Sequence, residues 1–580
     1  MGLDSHRKNY IKKNLRNFSI SKIARDIGAS ENEILDYLKK KWSPEKYEKF
    51  LRNQYAQNSD LGQGIASFSF MNFFRENWTA LTFLAFLVFA VYANSLGNGF
   101  VSDDIAGFAN NPDVGKFSRI FSGGMHFSLT AFFQFFTYHI GGLHPFSFRI
   151  INILFHLGSV ILIYVLLSLS MKKRIAIIAA SIFAVHPILT ESVSWISGSP
   201  YAIYSFFFLL SFLFYLFSKD NKKHYYYSTV FLALSIFTTE KATVLFLIFV
   251  LYELAFGSIR DNWKRILPYL LISLVLLIFF VSKIGHRVAA VESQSYQSTG
   301  GMYNPFVQIP VAIGTYLKLI FWPAKLTLYQ TEMAFTRPQF LFLVAIFLAF
   351  LGALALSWFK NKTIFFWLAF FPIALLPTLT PFKISWIVAE RYAYLGTLGI
   401  IIVVAILADK FLGINENAKM VGYFALVIIV ASLSVRTIIR NMDWKSEDTL
   451  WIATAKMAPS GQVIHNNLGD VYARQGDFKK SVEEFKKAIE INPNYADAYH
   501  NLGNTYQQMG QIDLALENYR KAASINTSLW QSYQNMAAIY FGQGNYERAS
   551  ENIKKALEIN PGDPNLQQNL QIIQSKTQEQ

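Results

Sequence analysis

Between residues 78 and 438 the chain returns repeatedly to apolar runs about as long as the roughly 20 residues a helix needs to cross a bilayer. Nothing else in the sequence constrains the fold as much. A backbone in lipid has no water to bond, so each run must satisfy its own N–H and C=O groups, which an α-helix does. Composition agrees: of 580 residues, 52% are hydrophobic and 16% aromatic. Mean hydropathy is +0.26. An ordinary soluble chain is less apolar. There is no cysteine, which excludes disulfides and thiolate metal sites.

Charge orients the runs. Lys and Arg fall in short polar breaks at Lys172-Lys173-Arg174, 219–223, 260–265, 360–362 and Lys410. The excess of Lys and Arg in cytoplasmic loops places these breaks, and the basic N-terminus, in the cytoplasm. The net charge of +15 is then mostly that of cytoplasmic flanks, and nucleic-acid binding is disfavoured. Residues 1–77 are polar and carry no secretory leader. Eleven crossings are expected, near 79–96, 147–170, 175–187, 200–218, 226–238, 242–258, 266–283, 339–358, 363–377, 394–410 and 420–438. Residues 306–322 read as a re-entrant or outer-face segment, because a full crossing there would invert the later breaks.

Soluble segments flank this region. Residues 19–42 carry Ile23, Ile27, Ala29, Ile34 and Tyr37 at the buried positions of a helix-turn-helix, with Gly28 at the turn. The second helix opens on Glu31-Asn32-Glu33 and includes Asp36, acids that would repel phosphates. A small cytosolic helical domain is expected rather than a DNA reader. At the other end, Leu468-Gly469-x-x-Tyr472 recurs as Leu502-Gly503-x-x-Tyr506 and as Met536-Ala537-x-x-Tyr540, with Pro459, Pro493 and Pro561 in register. A period of 34 with these small and aromatic residues is the tetratricopeptide signature, a stack of helix pairs. The expectation is an all-α protein, a polytopic helical bundle of about eleven spans followed by a tetratricopeptide solenoid. Its parts are 1–77, 78–438 and 439–580.

Ionisable groups gather on the face assigned as outer. Asp103 and Asp104 follow the first run. Later runs end in AVHPILTESVSW with His186 and Glu191, TTEKA with Glu240 and Lys241, and VAERYAYL with Glu390 and Arg391. Such groups are expensive to bury unpaired beside lipid, so four segments converging on one face point to a site. A carboxylate there can take a proton from a hydroxyl nucleophile. Lys and Arg can hold a phosphate, Arg through two parallel bonds. That set suits transfer of a group from a lipid-linked phosphate to an acceptor hydroxyl. Two adjacent acids are a weak signal for a divalent cation. No metal ligand set is assigned, and the cofactor is unknown.

The same blocks resemble a known family. The early Asp-Asp, HPFSFRIINILFHL (144–157) with Arg149 and His156, AVHPILTESVSWISG (184–198), TEKA and AERYAYL with Tyr392 occur in this order, followed by the repeats. This is similar to the transmembrane and tetratricopeptide repeat-containing O-mannosyltransferases, members of the multispanning C-type glycosyltransferases. The resemblance implies a polyprenyl-phosphate-linked sugar as donor and a protein Ser or Thr hydroxyl as acceptor, with the repeats binding the acceptor or a partner. It implies Asp103 as the catalytic acid of the first outer loop with Asp104 its partner, and Lys241 and Arg391 as contacts to the donor phosphate. His186, Glu191, Glu240, Glu390, Tyr392, Arg149 and His156 would shape the site. Where animal members carry a charged step after the Gly of the third block, this chain has Ser199-Pro200-Tyr201. An oligosaccharide ligase or polymerase of a surface glycan, and a membrane scaffold recruiting proteins through its repeats, are the alternatives. An integral membrane location is expected, with the N-terminus cytosolic and the repeats extracytoplasmic.

Overall fold

The computed structural model describes residues 3–15, 20–45, 47, 69–121, 127–218, 222–281, 304–328, 336–379 and 388–579. The end of the expected span near 266–283, part of the break at 219–223 and most of 48–77 lie outside them. The described residues form helices and connecting loops throughout.

Helices Ser5–Asn14, Ile20–Ile27 and Glu31–Lys41 close on a small core of Leu3, Ile11, Ile20, Ile23, Ala24, Ile34 and Leu38. Gly28 makes the turn at φ +60, a conformation open to glycine. Ser30 caps the third helix in a reciprocal box with Glu33. Glu31, Asn32 and Glu33 are exposed at its start.

Among the described residues six helices are long and apolar enough to cross a membrane: Trp78–Gly97, Pro145–Ser170, Ile196–Phe217, Arg337–Lys360, Glu390–Leu412 and Glu416–Asp443. Lys173–Val185 and Pro187–Ser194, bent by 53°, make a seventh if taken as one broken span. That is fewer than eleven. The other expected crossings fall on shorter helices, such as Lys362–Thr378, or on helices interrupted by polar residues, such as Lys222–Thr238. Polar side chains start the spans. Thr336 boxes with Gln339, and Asn361 and Asn415 cap the helices that follow them. Pro145 and Pro338 occupy first-turn positions, where a missing N–H costs nothing.

Pro145–Ser170, Ile196–Phe217 and Glu390–Leu412 are mostly buried and form the centre. Arg337–Lys360 and Glu416–Asp443 leave most of their apolar side chains exposed, as a lipid-facing periphery does. At one end of the bundle Lys172 and Arg174 bond Asp409 at 3.1 and 2.5 Å. At the other end Asn98 donates to the Asn441 carbonyl at 2.8 Å, joining the ends of the first and last spans. The candidate residues lie at this second end.

Beyond it, Glu447–Met457 leads into three helix pairs, Gln462–Arg474 with Phe478–Ile491, Ala496–Gln508 with Ile512–Ile525, and Trp530–Gly542 with Tyr546–Ile559, closed by Pro564–Glu579. Gly476, Gly510 and Gly544 turn each pair at φ between +73 and +78, in the 34-residue register.

Candidate active site

The loop after the first span is tied down from three directions. Arg149, fully buried, donates from Nη1 to the Asn98 carbonyl at 2.7 Å, from Nη2 to Gly99 at 2.9 Å and from Nε to Ser194 at 2.7 Å. Asn152, one turn on, donates to the Trp195 carbonyl at 3.1 Å. Trp195 returns its indole N–H to the Val101 carbonyl at 3.2 Å.

These bonds separate the two acids. Asp104 is fully buried. Its Oδ1 accepts from the Ser197 backbone at 2.8 Å and hydroxyl at 2.6 Å, and its Oδ2 from the Val101 N–H at 3.4 Å. It fastens the loop to the turn at Ile196–Gly198. Burial pushes its carboxyl up to about 6, against the hydrogen bonds from Ser197. Asp103, by contrast, reaches solvent from a recess. Desolvation in the recess raises its carboxyl above the ordinary value, and the Arg391 charge pulls it back. Ser102, just before it, has φ +54, where a non-glycine residue is strained by about 1 kcal/mol.

Arg391 is held by the fully buried Glu191. The guanidinium Nη1 pairs with Oε1, and the Arg391 backbone N–H donates to Oε2 at 2.9 Å. Its guanidinium lies 5.4 Å from the Trp195 ring and 5.0 Å from Tyr392. The Lys241 ammonium lies 5.9 Å from the same Tyr392 ring, 5.5 Å from Tyr201 and 3.5 Å from Glu240. Tyr392 and Tyr201 pack at 5.8 Å. Two cations from distant segments thus meet around one aromatic pair, with Asp103 within electrostatic reach of Arg391.

The remaining residues build the frame. Glu390 pairs with Arg440 in full burial. His186 accepts at Nδ1 from the Ile188 N–H at 3.3 Å, so Nε2 carries the proton donated to Ile320 at 2.9 Å. His156 bonds the Tyr394 hydroxyl at 2.8 Å and the Ala184 carbonyl at 3.1 Å, deep among helices. The expected set is therefore split. Asp103, Lys241, Arg391, Tyr392, Glu191 and Glu240 converge, Asp104, Arg149 and Glu390 brace them, and the two histidines lie in the packing behind.

Sequence reasoning missed Ser197, Trp195, Tyr201, Tyr316 and Arg440. Tyr316 bonds both the N–H and the carbonyl of Ala389, at 3.1 and 3.2 Å, and so fixes the start of the Glu390 segment. Arg440 carried a signal. It ends the last apolar run on the face that the sequence expectation assigns as outer, where Arg is disfavoured. Among the described residues no group of three or more His, Asp or Glu is arranged to hold a metal ion.

Fold and site together define a class: an integral membrane helical bundle with a polar site at one end and a tetratricopeptide solenoid attached at that same end. Sequence comparison narrows it. The dolichyl-phosphate-mannose-protein mannosyltransferase family profile matches residues 126–285, and tetratricopeptide profiles match 469–510, 496–528 and 530–563. Protein O-mannosyl-transferase TMTC3 of Mus musculus is 26% identical over 482 residues, covering 73% of this chain and 52% of that protein. TMTC4 of Homo sapiens is 25% identical, covering 67% of this chain and 63% of its own. Protein O-mannosyl-transferase F38B6.6 of Caenorhabditis elegans is 24% identical over 70% of this chain and 61% of its own. The chain spans about half the length of the first of these relatives. It resembles the transmembrane and tetratricopeptide repeat-containing O-mannosyltransferases through both membrane region and repeats.

Proposed function

We propose that this chain is an integral membrane glycosyltransferase that moves a sugar from a polyprenyl-phosphate donor to a protein Ser or Thr hydroxyl. The observation that carries the reading is the division of labour between the paired acids. Asp104 is consumed by three hydrogen bonds, and Asp103 is left accessible within reach of Arg391, which shares the Tyr392 ring with Lys241. Asp103 takes the proton of the acceptor hydroxyl as its oxygen bonds the sugar's anomeric carbon. The carbon–oxygen bond to phosphate breaks, and the lipid phosphate leaves with the electron pair. Lys241 and Arg391 stabilise the charge that develops on it. Glu191 and Tyr392 hold Arg391 in place, which spares the reaction the cost of ordering it.

The relatives' printed names support the transferase class and mannose as the sugar. The solenoid gives the acceptor polypeptide a binding surface next to the loop bearing Asp103. An extracytoplasmic face for site and repeats, a cytosolic 1–77 domain, and short helices completing about eleven crossings belong to the same reading, on charge bias. Asp103→Asn tests it. Sugar transfer from a polyprenyl-phosphate donor to a Ser/Thr peptide should fall about 10²- to 10⁴-fold, the usual worth of a general base, with folded protein retained. Full activity would remove Asp103 from the mechanism. No turnover by the wild-type chain on a peptide, with turnover on a glycan acceptor, would favour the ligase or polymerase.

A further inference from the structure

Ser102 is the one non-glycine residue with positive φ among the described residues, and it directly precedes Asp103. Its backbone N–H is not bonded within the loop. It donates to Oε2 of Glu447, 345 residues away, at 2.6 Å. The second oxygen of Glu447 accepts the Trp451 indole N–H, also at 2.6 Å. Both carboxylate oxygens are thus engaged, one with the loop and one with the helix Glu447–Met457 that precedes the repeats. A second bond runs alongside, from the Gly99 N–H to the Lys445 carbonyl at 2.9 Å. Apolar packing closes the joint. Val101, Trp195, Leu328, Trp444, Leu450 and Trp451 cluster with Val471 of the first repeat helix. From the same short helix Asp448 accepts Arg474 at 2.8 Å and Gln475 at 2.9 Å. An unbroken chain of contacts joins the first repeat to the residue before Asp103.

We propose that Glu447 is a positioning residue for the transfer reaction. It holds Ser102 in the left-handed conformation and so sets the direction of the Asp103 carboxylate, coupling the base to the first repeat. The proposal rests on the reading of Asp103 as the base. A left-handed serine persists only where its surroundings over-determine it. The charged acceptor on its N–H is a strong and directional constraint. Arg149 and Trp195 fix the carbonyls of Asn98, Gly99 and Val101, and Glu447 fixes the N–H of the Val101–Ser102 peptide, the unit about which the Ser102 φ turns. A side chain outside the membrane region thereby acts on the reaction through one backbone bond.

Glu447→Gln tests this with little change of shape. The carboxylate meets the Ser102 and Trp451 N–H groups with an oxygen each, and the amide puts an NH2 donor in one of those two places, so in this geometry one N–H loses its acceptor. The expected result is a fall of about 10- to 100-fold in kcat, the scale of misplacement by an ångström, with KM for the lipid donor within about twofold. Adding Ser102→Gly should recover much of the loss, because glycine takes positive φ unaided. Unchanged kcat in Glu447→Gln overturns the proposal. So does a loss that Ser102→Gly leaves untouched, since that is the mark of a general structural role. Should Glu447→Gln yield no folded protein, Glu447→Asp asks the same question with both oxygens withdrawn by one methylene. Amide exchange across residues 99–104 in the full chain, measured without substrate, separates the two readings. Faster exchange in Glu447→Gln with no turnover by wild type upholds the latch and removes the assignment of the base. Unchanged exchange removes the latch whatever the activity.

Discussion

The Arg440 guanidinium and the Glu390 carboxylate meet at 3.1 Å with neither side chain reaching solvent. Arg440 also bonds Asp443 at 3.0 Å and lies 5.6 Å from the Trp444 ring. The pair joins the end of the last span to the start of the Glu390–Leu412 span. A buried pair of this kind adds little net stability, yet removal of one partner strands a charge and costs about 3–5 kcal/mol. Arg440→Leu should therefore lower the thermal stability of the detergent-solubilised protein sharply. Glu390→Leu combined with Arg440→Leu should recover most of the loss. A double variant as unstable as the single one would show that the stranded charge is not the cause.

Gly198 is constrained by its neighbour across the turn. A Cβ there would sit 2.2 Å from the Glu191 carbonyl oxygen and 3.2 Å from the Ser192 Cα. These are backbone atoms and cannot rotate aside. Glu191 would have to move, and Arg391 with it. Gly198→Ala should reduce sugar transfer by at least about tenfold, on the scale of an ångström misplacement. Gly107, in the loop after the first span, has open space around its Cβ position and is the control. Equal activity of the two alanine variants would contradict the packing argument.

Asp104 gives the loop after the first span a dependence on pH. Its carboxyl is pushed up to about 6 by burial, from 3.8. Below pH 3.8 the native and unfolded forms both hold the proton, and the loop has its full stability. As pH rises the unfolded form ionises first, so stability falls until the native carboxyl ionises near 6, and then levels. The loss is on the order of 2–3 kcal/mol. Amide exchange over residues 98–109, corrected for its intrinsic pH dependence, should show opening becoming easier between pH 4 and 6. Asp104→Asn should flatten that profile. A wild-type loop that becomes more stable with rising pH would contradict a buried carboxyl held above its ordinary value.

The sequence made the helical class and the repeats legible because each is a periodic signal. Apolar runs need only counting against membrane thickness, and the glycine turns at 476, 510 and 544 follow the register that Leu468 and Leu502 announce. Span count was less legible. Lys222–Thr238 and Phe246–Phe256 pack into the bundle without being long or apolar enough alone. The convergence of Lys241 and Arg391 was visible as a set of helix ends. Their meeting around Tyr392 and Tyr201 was not, since nothing in local spacing relates residue 241 to 392. The roles of Asp103 and Asp104 could not be separated either. Their difference comes from Ser197 and Arg149, which approach from other segments and reach only one of the two.

The shared face of site and repeats can be tested directly, because the chain has no cysteine to interfere with labelling. Gly99 bonds Lys445, so the loop after the first span and the entry to the repeats lie at the same end of the bundle. Lys172 and Arg174 bond Asp409, near the far end of the Glu390–Leu412 span. At a rise of about 1.5 Å per residue, that span separates the two ends by about 30 Å. Asn110, Lys173 and Lys479 are all exposed and suit single substitutions. In intact membranes Asn110→Cys and Lys479→Cys should react alike with an impermeant thiol reagent. Lys173→Cys should react only after the membrane is opened, if charge bias has oriented the chain correctly. Labelling of Lys173 alone would keep the fold and invert its orientation. Labelling that separated Asn110 from Lys479 would contradict the fold itself.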